Sequence, residues 1–369
     1  MRVAVVAEYY PRAADPALGV WAHRQALAAR AAGADVEVFV LHRPVPSRAA
    51  LRTRRGLLEP LRQPLRAELD GIRVTYVPFV APPRSRSYPA WGAWAAPTLA
   101  VVLKRRRFDL IHAHYAAPAG DAARRVRPDT PLVISVHGGD VLGLVDRWRG
   151  GRAVVSKALK AARLTLANSQ GIAGRARELG AREVRVVHLG TDVPAATTDA
   201  TTLVTVGNLI ARKRHADVAR ALATLPQARW VVIGDGPERP ALERLTAGLD
   251  VEFRGALPPQ QALQAARECG VFVLPSVDEA FGVAYVEAMA GGLPAIGTKG
   301  EPGPEEIAAC GGGMLLVPPN DPAALAAAIR TALEHRRELG AAARANVAAN
   351  FTWEACGRAT VAAYEDALR

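Results

Sequence analysis

Short β-branched runs alternate with alanine-rich stretches along the whole chain, and that rhythm leaves few architectures open. In the first half the runs are "VAVVA", "VEVFVL", "IRVTYV", "LIHAH", "LVISV", "LTLAN" and "VRVVHL". In the second they are "TLVTVG", "WVVIG", "VEFRG", "VFVLP", "PAIGT" and "GMLLV". Such strands, separated by helical stretches, mark parallel βαβ units with helices on both faces of a sheet. A chain of 369 residues exceeds what one hydrophobic core usually serves. Residues 190–202, "GTDVPAATTDATT", lack periodicity and read as a linker between two doubly wound α/β domains, 1–190 and 191–351. The segment "FTWEACGRATVAAYEDALR" reads as an amphipathic helix over 352–369, with Thr352 as N-cap and Glu354 in the first turn, expected to pack back onto the first domain.

Charge is divided unevenly between these halves. Residues 1–190 carry 31 Lys and Arg against 14 Asp and Glu, and residues 191–369 carry 16 against 21, so the overall +12 conceals a basic half and an acidic one. A basic half can attract nucleic acid, anionic lipid or phosphorylated substrates. No RNP, KH or zinc-finger pattern accompanies it, which argues against nucleic acid. The stretch "RSRSYPAWGAWAAPTLAVVLKRRRF" joins tryptophans, an apolar run and a cationic cluster, the composition of a peripheral contact with an anionic membrane. Its uncharged run falls short of a spanning helix and contains two prolines. The opening "MRVAVVAEYY" reads as a buried strand rather than an export signal. Cys269, Cys310 and Cys356 are widely spaced without a C-x-x-C pair and read as buried small hydrophobes in a reducing compartment. A cytoplasmic protein, at the inner face of the membrane if the peripheral contact holds, is the expected setting.

In doubly wound sheets ligands bind beyond the carboxyl ends of the strands. The joints there in the second half read "VGNLIARKRH", "GDGPER" and "PSVDEAFGVAYVEAMA". In the last, Gly282 allows close backbone approach and a helix begins near Val283, whose first-turn amides suit a phosphate. Glu287 lies about one turn inside, positioned to accept hydrogen bonds from vicinal hydroxyls such as a ribose pair, while Glu279 faces another hydroxylated portion of the ligand.

The stretch "EAFGVAYVEAMAGGLPAIGT" resembles the E-x7-E signature of retaining GT-B glycosyltransferases of glycosyltransferase family 4. The collinear segments "DLIHAHYAAPAGDAA", "SVHGGDV", "LANSQGIAGRARELGAREVRVVHLGTDV", "VGNLIARKRHADVARAL", "VIGDGPERPALERL" and "FRGALPPQQALQAARECGVFVLPS" extend the likeness over nearly the whole chain. The resemblance implies two Rossmann-like domains facing across a cleft, the first for the acceptor and the second for the nucleotide sugar. It assigns Glu287 to the nucleotide ribose, Glu279 to the transferred sugar, Lys213 to the donor diphosphate, and the backbone at Phe281, Gly282 and Val283 to sugar and diphosphate. Where many members carry Gly-Arg this chain has Gly207-Asn208, and Arg212 is expected to supply the missing cation. In the first domain, His137 with Gly138 matches a histidine near the donor sugar, and Gly19 lies where the family has a glycine loop close to donor phosphates and acceptor. His112 and His114 read as packing and loop-anchoring residues.

No two aspartates lie two apart, so the D-x-D pair that positions a metal in the other common glycosyltransferase architecture is absent. Cations and helix-terminus amides must then stabilise the leaving diphosphate without metal or cofactor. The resemblance implies attack on the face from which the leaving group departs, with no covalent glycosyl-enzyme. UDP-sugars are the first expectation for the donor and GDP-sugars the next, with a glycan, polyprenyl-linked or small-molecule acceptor. "GEPGPEEI" resembles a variant found in exopolysaccharide and cell-wall glycan enzymes. The alternatives are a GT-B sugar-nucleotide epimerase, a non-catalytic sugar-nucleotide sensor, and a basic protein binding nucleic acid or a membrane surface.

Overall fold

The structure, a computed structural model, describes residues 1–45, 62–194 and 201–369. Part of the expected linker (195–200) and most of the basic stretch 42–66 lie outside the described residues. The chain divides into two compact units, Met1–Leu189 with Trp353–Arg369, and Gly190–Thr352.

The first unit is built on strands β1 (Arg2–Ala7), β2 (Asp35–His42), β3 (Arg66–Leu69), β4 (Ile72–Pro78), β5 (Leu110–His114), β6 (Leu132–Val136), β7 (Leu164–Ala167) and β8 (Val184–Val186), in the order β3-β4-β2-β1-β5-β6-β7-β8. β1, β5, β6 and β7 are buried on both faces along nearly their whole length, which is why their sequences run apolar without alternation. All pairs are parallel except β3 with β4, an antiparallel hairpin. Its two-residue turn is Asp70-Gly71, with φ of 49° and 75°, the positive-φ pair of a tight hairpin. β3 exposes alternate residues, Arg66 and Glu68, as an edge strand should.

The second unit carries β9 (Leu203–Val206), β10 (Trp230–Ile233), β11 (Val251–Gly255), β12 (Val271–Val273), β13 (Ala295–Thr298) and β14 (Met314–Val317), in the order β11-β10-β9-β12-β13-β14, all parallel. Each sheet therefore reverses its winding once, between β1 and β5 in the first unit and between β9 and β12 in the second. Loops leaving the carboxyl ends of the two strands at a reversal diverge to opposite faces and open a crevice.

Helix α1 (Val20–Ala31) follows β1, and α2 (Trp91–Leu103) connects β4 to β5. Along α2, Trp91, Ala95, Leu99 and Leu103 face the core, whereas Trp94 and Val101 are 52% and 74% exposed. Only one of the two tryptophans therefore remains available to a surface partner; the Trp91 indole donates to the Pro82 carbonyl and the Ser87 hydroxyl. No helix among the described residues is long and apolar enough to cross a membrane. Cys269 and Cys356 are buried, and burial pushes their thiols up to about 11 and about 12; Cys310 is only half-buried, which corrects the expectation of three core cysteines. In the second unit, α3 (Val283–Ala290) follows β12.

The chain closes with α4 (Trp353–Leu368), which packs on α1 within the first unit. Cys356, Val361, Ala363 and Tyr364 join the core of that unit, and the Gln25 amide donates to the Thr360 hydroxyl at 3.1 Å. The contact is close because Gly357 faces the Ala28 carbonyl, where a Cβ would sit 2.3 Å from the oxygen. Helix propensity alone favours Gly357→Ala by about 1 kcal/mol. Steric overlap with main chain should reverse the sign, and we expect a net destabilisation of about 1–3 kcal/mol. Urea unfolding of the variant checks this, and a raised midpoint would show that α4 does not dock as described.

Candidate active site

In the second unit the reversal brings together the loops after β9 and β12. The first leaves the sheet at Gly207, exposes Asn208, buries Leu209 and turns through a short 3-10 segment at Ala211–Lys213. Gly207 is crossed closely by Gly234 at the end of β10, where a Cβ would fall 1.9 Å from the Gly207 oxygen. The two loops are joined by main chain, the Val277 amide donating to the Arg212 carbonyl at 2.8 Å.

Side chains complete that junction. Lys213 Nζ lies 2.5 Å from Glu279 Oε2, the Ser276 hydroxyl donates to the same oxygen at 2.9 Å, and Arg212 Nη1 stands 3.6 Å away. Glu279 is only 8% exposed. Burial by itself would raise its carboxyl, but the Lys213 ammonium, Arg212 and the Ser276 hydroxyl together hold it below the usual carboxylate range. Its main chain is also fixed: the Glu279 amide donates to Glu301 Oε2 at 2.8 Å, and the Gly303 amide donates to the Glu279 carbonyl at 3.0 Å.

Beyond Glu279, Phe281 is buried against Phe351, and Gly282 at φ 83° opens α3. A Cβ on Gly282 would meet the Tyr285 ring at 2.3 Å. That ring cannot retreat, because the Tyr285 hydroxyl bonds the Leu274 carbonyl and lies 3.1 Å from Ser276 Oγ. Val283 provides the first residue of the helix, and Glu287 sits half-buried one turn in. The structure thus gathers Arg212, Lys213 and Glu279 into one cluster, with Phe281, Gly282, Val283 and Glu287 along the adjoining helix start and Gly207 and Asn208 at the mouth of the neighbouring loop. Ser276, Tyr285 and Glu301, which hold Glu279 in place, were not singled out from sequence. Ser276 stands three residues before Glu279 in the same loop, the one sequence signal that pointed to it.

The remaining candidates belong to the first unit. Gly19 caps α1 at φ 66°, against the Tyr9 carbonyl, where a Cβ would lie 2.3 Å from the oxygen. His137 follows β6, and Gly138 turns the chain at φ 89°. Asp140 clamps this loop to the one after β5, accepting from the amides of Ala116 at 2.8 Å and of His137 and Val141 at 3.2 Å. His137 Nε2 is 3.0 Å from His114 Nδ1, the two rings within 9° of parallel. His112 bonds the Tyr364 hydroxyl and Ser135 Oγ, both at 2.7 Å, linking the column to α4. Burial pushes His112 and His137 down to about 3, so both imidazoles are neutral at ordinary pH. His114 thus packs in the core and also orients His137. Asp140 was missed, although it stands in the same "SVHGGD" as His137.

A buried carboxylate locked between cations, beside a glycine-opened helix start at a sheet reversal, suits a ligand carrying both phosphate and hydroxyls. Known proteins agree. Residues 18–194 match the family described as Glycosyltransferase Family 4, and residues 200–335 match Glycosyl transferases group 1. The chain is 30% identical over 332 residues to a GDP-mannose-dependent alpha-mannosyltransferase of Mycolicibacterium smegmatis, covering 81% of this chain and 84% of that one. It is 28% identical over 331 residues to a putative teichuronic acid biosynthesis glycosyltransferase, TuaC, of Bacillus subtilis, covering 81% of each. Among solved structures its fold is similar to sucrose-phosphate synthase from Thermosynechococcus elongatus, with a TM-score of 0.80 at 20% identity over 99% of this chain and 98% of that one. It is also similar to Anabaena HepE in complex with UDP and glucose, with a TM-score of 0.74 at 19% identity over 99% and 100%. Two family matches that together span most of the chain, and a relative at 30% identity along most of both lengths, show that the chain belongs to the GT-B glycosyltransferases of family 4.

Proposed function

We propose that the protein transfers a sugar from a nucleoside diphosphate donor to an acceptor hydroxyl with retention of anomeric configuration, by attack on the face from which the diphosphate leaves and without a metal. The observation that carries this reading is the Lys213–Glu279 pair at the sheet reversal, beside the helix start at Gly282. Lys213, with Arg212, meets the charge that develops on the leaving diphosphate. The first-turn amides of α3, opened by Gly282 and Val283 and flanked by Phe281, receive phosphate and sugar oxygens. Glu287 takes the ribose hydroxyls, and Glu279 a hydroxyl of the transferred sugar. Gly207 and Asn208 border the diphosphate; Gly19, Gly138 and His137 of the first unit keep the roles that the family resemblance gives them.

Retention could also proceed through a covalent intermediate, with a carboxylate attacking the anomeric carbon. Glu279 is a poor nucleophile for that: one oxygen is shared between an ammonium and a hydroxyl in a buried setting. Its arrangement supports the same-face route, in which the leaving phosphate oxygen accepts the acceptor's proton. The Mycolicibacterium relative is named for GDP-mannose and the HepE structure holds UDP, so both nucleotides belong in the donor test. Incubating the enzyme with UDP- and GDP-sugars and following nucleotide release with and without acceptor decides the class. An epimerase would convert donor alone, and a sensor would bind without turnover.

We also propose a peripheral contact with anionic membrane through the outer face of α2, where Trp94 and Val101 stand exposed ahead of Lys104, Arg105 and Arg107. Cosedimentation with phosphatidylglycerol vesicles at low salt should be strong, and should drop several-fold with phosphatidylcholine or after Trp94→Ser. Equal recovery with both lipids argues against the contact.

For the pair itself, Lys213→Met leaves the buried carboxylate with only Arg212 and the Ser276 hydroxyl, at a cost of about 2–4 kcal/mol. Adding Glu279→Gln should recover much of that stability, while both single variants and the double lose turnover by about 10²–10³. Because the folded Glu279 carboxyl lies below its ordinary 4.5, its contribution is present above that pH and fades as pH falls through the folded value. The gap between wild type and Lys213→Met should therefore narrow in acid. Urea unfolding at pH 7 and in acid measures this, and a gap that is constant with pH contradicts the pairing.

A further inference from the structure

Three arginines leave the carboxyl edge of the first unit's sheet from adjacent parallel strands: Arg12 after β1, Arg43 after β2 and Arg84 after β4. Arg84 and Arg12 gather at Glu8, and Arg84 and Arg43 at the Trp91 indole. Arg84 Nη1 lies 3.8 Å from Glu8 Oε1, and Arg12 Nη2 donates to the Glu8 and Leu41 carbonyls at 2.8 and 3.2 Å. Arg43 donates to the Ala81 carbonyl at 2.9 Å, and its guanidinium stands 5.3 Å from the centre of the Trp91 ring that Arg84 also approaches, at 5.9 Å. Arg84 rests 3.9 Å above the Tyr88 ring and bonds the Tyr9 hydroxyl.

Among the described residues, cationic side chains outnumber acids at this edge. Glu8 is buried, only 6% exposed, and Tyr88 already donates to it at 2.6 Å. Two guanidiniums, Arg84 and Arg12, act on this carboxylate, Arg12 also faces Asp15, and no Asp or Glu occurs anywhere in residues 71–108. An arginine stacked on tyrosine is pre-organised, so it gives up little freedom when it takes a second partner. Arg84 retains 43% side-chain exposure, which leaves its outer edge open to solvent. Trp148, 5.4 Å from Tyr88, adds a half-buried ring beside it and is flanked by the exposed Arg147 and Arg149. Aromatic rings next to guanidinium forks suit a sugar ring bearing a carboxylate or phosphate. Arg12 and Arg43 also cap strand-end carbonyls, which alone would account for those two. It does not account for Arg84, whose partners are side chains.

We infer that this edge is an acceptor subsite for an anionic glycan, with Arg84 as the group that grips the acid. The inference rests on the glycosyltransferase reading and narrows its acceptor to the negatively charged class.

The test uses matched pairs, methyl glucuronide against methyl glucoside and glucose 6-phosphate against glucose, with the full-length enzyme and whichever donor it turns over. The anionic member of each pair should be preferred by about tenfold or more in kcat/KM, through KM. Arg84→Gln should abolish most of that preference while leaving donor KM and acceptor-free donor hydrolysis unchanged; Arg84→Lys should keep part of it. Arg147→Gln with Arg149→Gln, both on the surface, provides a second variant should Arg84→Gln unfold on loss of the Glu8 partner. Neutral acceptors used equally well, or a preference that survives both variants, overturn the proposal. Saturation-transfer NMR of methyl glucuronide against methyl glucoside at low salt needs no donor. It therefore decides the anionic subsite even if no nucleotide sugar is consumed, an outcome that would count against the enzyme reading instead.

Discussion

A carboxylate that is 8% exposed stays ionised only if its surroundings replace the water it has lost. At Glu279 that replacement is Lys213, Arg212 and the Ser276 hydroxyl. Each is held by something further. Ser276 is oriented by Tyr285, Tyr285 by the Leu274 carbonyl, and the space for the Tyr285 ring exists because Gly282 has no side chain. The same glycine takes the positive φ that starts α3. Helix start, buried acid and cation are therefore one mechanical unit, and the hydrogen bond from the Val277 amide to the Arg212 carbonyl couples it to the loop after β9.

The first unit solves its own crevice differently. Its polar column is neutral: His112 and His137 are pushed by burial far below the pH at which they could carry charge, and they are held by hydrogen bonds instead of ion pairs. Asp140 does not face a cation in that column; it draws on three main-chain amides. The closing helix enters this arrangement through Tyr364, whose hydroxyl bonds His112. A segment at the end of the chain thereby fixes a histidine column in the middle of the sheet, which explains why α4 packs with residues more than 200 positions away in sequence.

How much of this could be read from letters depends on how local the signal is. The central strands announce themselves because burial on both faces demands uninterrupted apolar residues. β3 does not, since an edge strand of Arg66, Ala67, Glu68 and Leu69 offers neither β-branched residues nor burial on two faces. Its turn, Asp70-Gly71, was nevertheless legible as a hairpin signal and was passed over. In α2 the fourfold spacing of Trp91, Ala95, Leu99 and Leu103 sets the buried tryptophan apart from the exposed one, a division that the reading of both tryptophans as a surface contact overlooked. Glu279 and Gly282 stood out because their loop follows a strand, and Lys213 through the family resemblance. Tyr285 and Asp140 did not, because what they do depends on which side chain the fold brings opposite them.

The two clusters impose a division of labour on the proposed chemistry. A departing diphosphate needs positive charge that is in place before the bond breaks, and an ammonium already fixed by a carboxylate requires no reorganisation when that charge develops. The carboxylate limits the cation in turn, since part of its field is already spent on Glu279, and in the proposed chemistry Arg212 adds a second cation where the chain has Asn208. At the edge of the first unit the arrangement differs: Arg84 and Arg12 act on buried Glu8, and Arg84 keeps an exposed outer edge. On the proposed reading, an open guanidinium suits a negative partner that stays put through the reaction, whereas the tightly compensated cations of the second unit suit the additional charge that develops on the diphosphate in the transition state.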